Sequence, residues 1–113
     1  VHAADTNAEL LSLMQEQGDD LAAPRDIDFF VIFDTRLQAE AFAGLAAATL
    51  ELPARVSAYE KTDKWQVSLT RHMAPEHAQL NQLEKRIAGL ARQHGGDADG
   101  WGCPRVSQDR GRR

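Results

Sequence analysis

The chain has 113 residues, 42% hydrophobic and 27% charged, with a formal net charge of −4. That length fits one domain able to bury a core without staples, and its single cysteine, Cys103, excludes an internal disulfide and a metal cage built on thiolates. No basic region followed by an apolar run marks the start and no stretch reaches membrane-spanning length, so the expected setting is reducing and cytoplasmic rather than secreted or membrane-embedded.

The charge is uneven. Up to Asp28 the chain carries Asp5, Glu9, Glu16, Asp19, Asp20, Asp26 and Asp28 against Arg25 alone. Such a front argues against a general nucleic-acid binder, which needs a basic face for phosphates. It suits a basic partner, and equally an ordinary solvated surface.

Thr6-Asn7-Ala8-Glu9 has the pattern of a capping box, Leu10, Leu13, Met14 and Gln17 follow at helical spacing, and Gly18 is a stop. The spacing predicts a helix over 7–17 that packs through Leu10, Leu13 and Met14. Its polar face is acidic, which does not fit a membrane surface. Residues 19–26 read as a loop. Asp19-Asp20 is a turn signal rather than a metal pair, because calcium loops need oxygen ligands at alternating positions. Arg25 is placed to pin the loop by bonding carbonyls or Asp20.

The near-continuous apolar run from Ile27 to Phe33 predicts a central strand buried on both faces. Asp34 or Thr35 caps a second helix, with Thr35-x-x-Gln38 as another capping box. Leu37, Ala41, Leu45 and Ala48 lie along one face with Phe42 beside it, and Pro53 forces an end near 50–52. Arg55–Glu60 and Trp65–Met73 alternate around a polar turn and predict a hairpin. Trp65, Val67, Leu69 and Met73 share one face; Gln66, Ser68, Thr70 and His72 share the other, joined by Arg55, Ser57 and Tyr59 if the register aligns.

A third helix begins at Pro75, suited to the first helical position. Leu80, Leu83, Ile87, Leu90 and Ala91 form its stripe, and Gly95-Gly96 ends it. The segment near Gly100–Cys103 is a short edge strand or a tight loop holding Trp101. Without the leading helix, the order βαββαβ is that of the ferredoxin-like α+β sandwich: a four-stranded antiparallel sheet with two helices on one face. Residues 1–103 then form the domain, and 104–113 a flexible basic tail.

Little here carries catalytic chemistry. His2, His72, His77 and His94 show no metal-binding spacing, so no metal or cofactor is expected. Cys103 with His77 or His72 would make a nucleophile and base only at hydrogen-bond reach, and a small buried thiol more often simply packs. Tyr59 is the only aromatic placed on the open sheet face, too few to stack bases. Trp101 either plugs the end of the core, with Asp99 bonding its indole N–H or a nearby backbone amide, or anchors an interface beside acidic groups.

Met73, Pro75 and His77, the leucine-striped helix, and then Gly95-Gly96 with Asp99-Gly100-Trp101-Gly102-Cys103 resemble the C-terminal part of the regulator of ribonuclease activity B family. Gly18-Asp19-Asp20-Leu21, followed by Pro24-Arg25 and an apolar strand, is a second match, so the resemblance spans about residues 7–103. It implies the ferredoxin-like fold and a non-enzymatic inhibitor of ribonuclease E that docks on the nuclease's basic, non-catalytic scaffold region. The chain ends in basic residues where the family's best-known member has a long acidic tail. The candidate contact residues are Asp19, Asp20, Arg25, Asp26, Asp99 and Trp101. No direct nucleic-acid contact is expected, and the protein would be a monomer or homodimer. The alternative is a ferredoxin-like small-ligand or dimerisation domain with a pocket around His72, Arg71, Tyr59 and Arg55.

Overall fold

The computed structural model describes residues 2–103, and side chains from residue 7 onward. Its elements are α1 (His2–Glu16), β1 (Arg25–Phe33), α2 (Arg36–Thr49), β2 (Ala54–Ala58), β3 (Trp65–Met73), α3 (His77–Gln93) and β4 (Asp97–Gly102). The strands form one sheet in the order β2-β3-β1-β4, antiparallel at every pairing. This is the ferredoxin-like arrangement, with α1 added in front. The tail expected at 104–113 lies outside the described residues.

The core lies between the sheet and the helices. Ile27, Phe29, Val31 and Phe33 of β1 and Val67 and Leu69 of β3 meet Leu80, Leu83 and Ile87 of α3. β1 alternates between buried and partly exposed residues rather than being buried on both faces. The helices cover one face, so Phe30 and Ile32 lie half-exposed on the other. The continuous apolar run records strand propensity and that half-covered face, not a second helical layer.

α2 starts as the capping box requires: Thr35 Oγ1 accepts from the Gln38 amide (3.2 Å), and the Gln38 side chain accepts from the Thr35 amide (3.3 Å). Its buried face, however, is Ala39, Phe42 and Ala46, while Leu37 is 79% exposed. Phe42 buries far more area than any alanine and sets the helix rotation. Its ring centroid sits 5.1 Å from that of Phe33.

α3 keeps the expected stripe, with Leu80, Leu83, Ile87 and Ala91 buried. Glu76 rather than Pro75 makes its start, as the N-cap whose side chain accepts from the Gln79 amide (3.2 Å). Pro75 is buried one residue earlier. After α3 the chain passes tightly over Phe33. A Cβ on Gly96 would lie 2.4 Å from that ring, so only glycine fits there.

α1 begins at His2, so Thr6 lies within the helix rather than capping it. Its docking residues also differ from expectation. Asn7 and Leu11 are buried and Met14 packs against the core, while Leu10 and Leu13 remain 38% and 49% exposed.

Candidate docking face between the first helix and the edge strand

α1 is seated on the sandwich by one polar hub. The Asn7 carboxamide, 5% exposed, donates from Nδ2 to Asn81 Oδ1 (2.6 Å) and Glu84 Oε1 (2.7 Å) on α3. Its Oδ1 accepts from the indole Nε1–H of Trp101 on β4 (3.0 Å). Asn81 also contacts His77 Nε2 at 3.0 Å. The partner of the Trp101 indole is therefore Asn7, not Asp99, which is exposed. Because a buried amide left unpaired is costly, this hub fixes how α1 lies across α3 and β4.

Trp101 reaches that hub because of a bulge. β1 pairs Val31 with Ala98 but Phe29 with Trp101, so Asp99 and Gly100 together oppose Phe30. In unbroken register Gly100 would oppose Phe29 and Trp101 would point to the open face, since a one-residue slip inverts every side chain. Gly100, at φ +96°, makes the extra residue possible.

A second device holds the loop between α1 and β1. Arg25 Nη1 donates to both carboxylate oxygens of Asp19 (2.8 and 3.0 Å), and both side chains are 2% exposed. Nη2 donates to the carbonyls of Asp20 (2.5 Å) and Ala23 (3.1 Å), and Nε donates to Ala23 as well (3.1 Å). Arg25 thus pins the loop through carbonyls, and its carboxylate partner is Asp19 rather than Asp20. The Asp20 carboxylate closes a local turn on the Ala22 amide (3.1 Å).

The six candidate contact residues are consequently divided. Asp19 and Arg25 lie beneath the surface and neutralise one another. Asp20 and Trp101 are half-buried beside α1, and Asp99 is exposed on the β4 bulge. Asp26 is exposed on the opposite sheet face, 3.0 Å from His72 Nδ1. Sequence reasoning missed Asn7, Asn81 and Glu84. The available signal was Asn7 in line with Leu11 and Met14 on one helical stripe, together with an indole that required an acceptor.

Between α1 and β4 these devices leave a groove of about 250 Å³, with Leu10, Met14 and Gln17 on one wall, Trp101, Gly102 and Cys103 on the other, and Asp19 behind. Leu13 adjoins Leu10 and Gln17 on the same side of the helix. β4 is an edge strand, so its outer rim faces outward. On the far flank of α1 a broader hollow of about 720 Å³ runs from Ala8 and Leu11 to Pro75 and Gln79.

Cys103 does not have the surroundings of a nucleophile. Burial raises the pKa of the Cys103 thiol, outweighing the opposing pull of Arg25, whereas a nucleophilic cysteine needs a lowered value. The groups acting on that thiol are Arg25, Asp19 and Asp28, with no imidazole among them. Among the described residues no three potential metal ligands converge, and no helix is long and apolar enough to cross a membrane.

Fold and site together define a ferredoxin-like α+β protein whose distinguishing surface is a groove between an added helix and a bulged edge strand. The chain belongs to the regulator of ribonuclease activity B family, whose model matches residues 4–103. That family is regulatory, which makes this protein a regulator of ribonuclease activity. The comparison with curated proteins gives no match. Among solved structures, the chain is similar to a dinuclear metal binding peptidase of the M20 family from Bacillus subtilis, at 16% identity and a TM-score of 0.45. The likeness covers 80% of this chain and 28% of that one.

Proposed function

We propose that this protein restrains RNA decay in the cytoplasm by binding ribonuclease E at its basic, non-catalytic scaffold region, without catalysing a reaction itself. Residues 1–103 form the binding domain, and the groove between α1 and β4 is the docking face. The observation that carries this reading is the pair Leu10 and Leu13, 38% and 49% exposed beside the half-buried Trp101. Neighbouring apolar residues left in water on a helix otherwise anchored by Asn7 and Leu11 fit a surface kept for a partner. Asp20 lies in the loop that follows α1 and Asp99 on the β4 bulge, and such carboxylates would speed association with a basic segment.

The test is a binding titration with the purified scaffold region of ribonuclease E, after circular dichroism has shown each variant folded. Leu10→Ser/Leu13→Ser should weaken binding by about 2–3 kcal/mol, from the loss of two apolar contacts. Asp20→Lys/Asp99→Lys should chiefly slow association and flatten its salt dependence. Wild-type affinity in both variants would move the contact to another face. Failure of the wild-type protein to bind would remove ribonuclease E as the partner.

A further inference from the structure

We propose that a small phosphate monoester binds in the cavity between the end of β3 and α3, its phosphate held between Arg71 and Arg86. This site lies apart from the groove proposed for the nuclease and does not depend on that reading.

The cavity measures about 330 Å³, and its walls include Arg71, Met73, Gln79, Gln82, Leu83 and Arg86. Gln79, Gln82, Leu83 and Arg86 recur at the spacing of one face of α3. Arg71 comes from β3 and is half-buried. Its Nη2 donates to the Leu50 carbonyl at the end of α2 (3.2 Å), which orients the guanidinium. Its other donors have no protein acceptor among the described residues, and Arg86 has no hydrogen-bond or ion-pair partner there.

Two arginines line this one cavity, in a chain where carboxylates outnumber cationic side chains by 17 to 13. Arg25, Arg36 and Lys64 are paired with Asp19, Glu40 and Asp34, whereas Arg55, Lys61, Lys85 and Arg92, like Arg86, have no ion-pair partner among the described residues. No Asp or Glu lines this cavity. His72 also lines it, with its imidazole Nδ1 3.0 Å from Asp26 Oδ1. Arg86 also borders a neighbouring hollow of about 310 Å³ that Lys85 lines as well and no carboxylate does.

Like charges facing one space repel, and an anion between them reverses the sign of that energy. The planar fork of arginine matches phosphate oxygens bidentately, and the Gln79 and Gln82 carboxamides can donate to remaining oxygens. A lone phosphate would leave most of the cavity unfilled. Met73 and Leu83 offer apolar wall for an organic group, which favours an ester over the bare ion.

The experiment is a titration of the ¹⁵N-labelled chain, followed by amide chemical shifts, with glycerol 3-phosphate, inorganic phosphate and succinate in separate arms. The proposal expects saturable shifts confined to residues 71–73 and 79–86, tighter for the ester than for phosphate and absent with succinate. Arg86→Gln, an exposed substitution that should leave the fold intact, should weaken ester binding by about tenfold, the scale of one charge-assisted contact. Lys61→Gln, on the hairpin turn, should leave it unchanged. Equal binding of the two phosphates would overturn the ester as occupant and leave inorganic phosphate in its place. Shifts scattered over the surface, equal response to succinate, unchanged affinity in Arg86→Gln, or no saturation with either phosphate would overturn the proposal.

Discussion

Replacing Arg25 with methionine should be among the most damaging single changes in this chain. The substitution keeps an unbranched apolar stem but removes every donor now facing Asp19, Asp20 and Ala23. The Asp19 carboxylate, 2% exposed, would be left buried without its cation. Breaking one partner of a buried pair costs about 3–5 kcal/mol. The Asp20 carbonyl lies nearer the surface and can turn to water, so it adds little. Set against a total stability of about 5–15 kcal/mol, a loss of about 4 kcal/mol removes a large part of the margin. For a domain near this size it corresponds to a melting point lower by about 15–30 °C.

Urea denaturation read by circular dichroism would measure the effect, with an unchanged m-value showing that the native state remains compact. Arg25→Lys should fall between, because an ammonium restores charge without the fork. Asp19→Leu/Arg25→Met should recover most of the loss, since no buried charge remains. A loss below about 1 kcal/mol in Arg25→Met, or a double variant as unstable as the single one, would refute the reasoning.

Gly100→Val places a β-branched residue at φ +96° and should cost about 1–3 kcal/mol, with a weakened near-ultraviolet signal from Trp101 as the bulge is lost. In α2, Phe42→Ala should destabilise by about 3–5 kcal/mol, while Leu37→Ser should stay within about 0.5 kcal/mol; melting curves that reversed this order would reject the buried face assigned to the helix. The raised pKa of Cys103 keeps it protonated further up the pH scale in the folded chain than in the unfolded one. Its contribution to stability is therefore complete below the unfolded pKa and is lost as pH rises toward the folded value. Iodoacetamide labelling across pH should show a higher midpoint for native protein than for urea-unfolded protein, and coincident midpoints would contradict it.

Much of this architecture follows from local chemistry alone. The alternation of Trp65–Met73 predicts β3 to the residue, the Thr35-x-x-Gln38 pair predicts the start of α2, and the leucine stripe of α3 predicts its buried face. These patterns are legible because strand period, capping and amphipathic stripes depend on neighbours a few residues away. The family resemblance is legible for the same reason, since its glycines and Trp101 stand close together in the chain.

Tertiary structure decided what depends on distant partners. The alanine-rich α2 has several faces of similar hydrophobicity, and packing of Phe42 against distant residues such as Phe33 and His94 selects the one that is buried. Asp19 and Arg25 look like surface charge until the loop folds them together out of water. The bond from Trp101 to Asn7 crosses almost the whole length of the chain, and the two meet only after a one-residue bulge turns the indole toward the helices. The exposure of Leu10 and Leu13 has the same origin: their spacing alone predicts burial, but once Asn7 and Leu11 fix the roll of α1, those two leucines face outward.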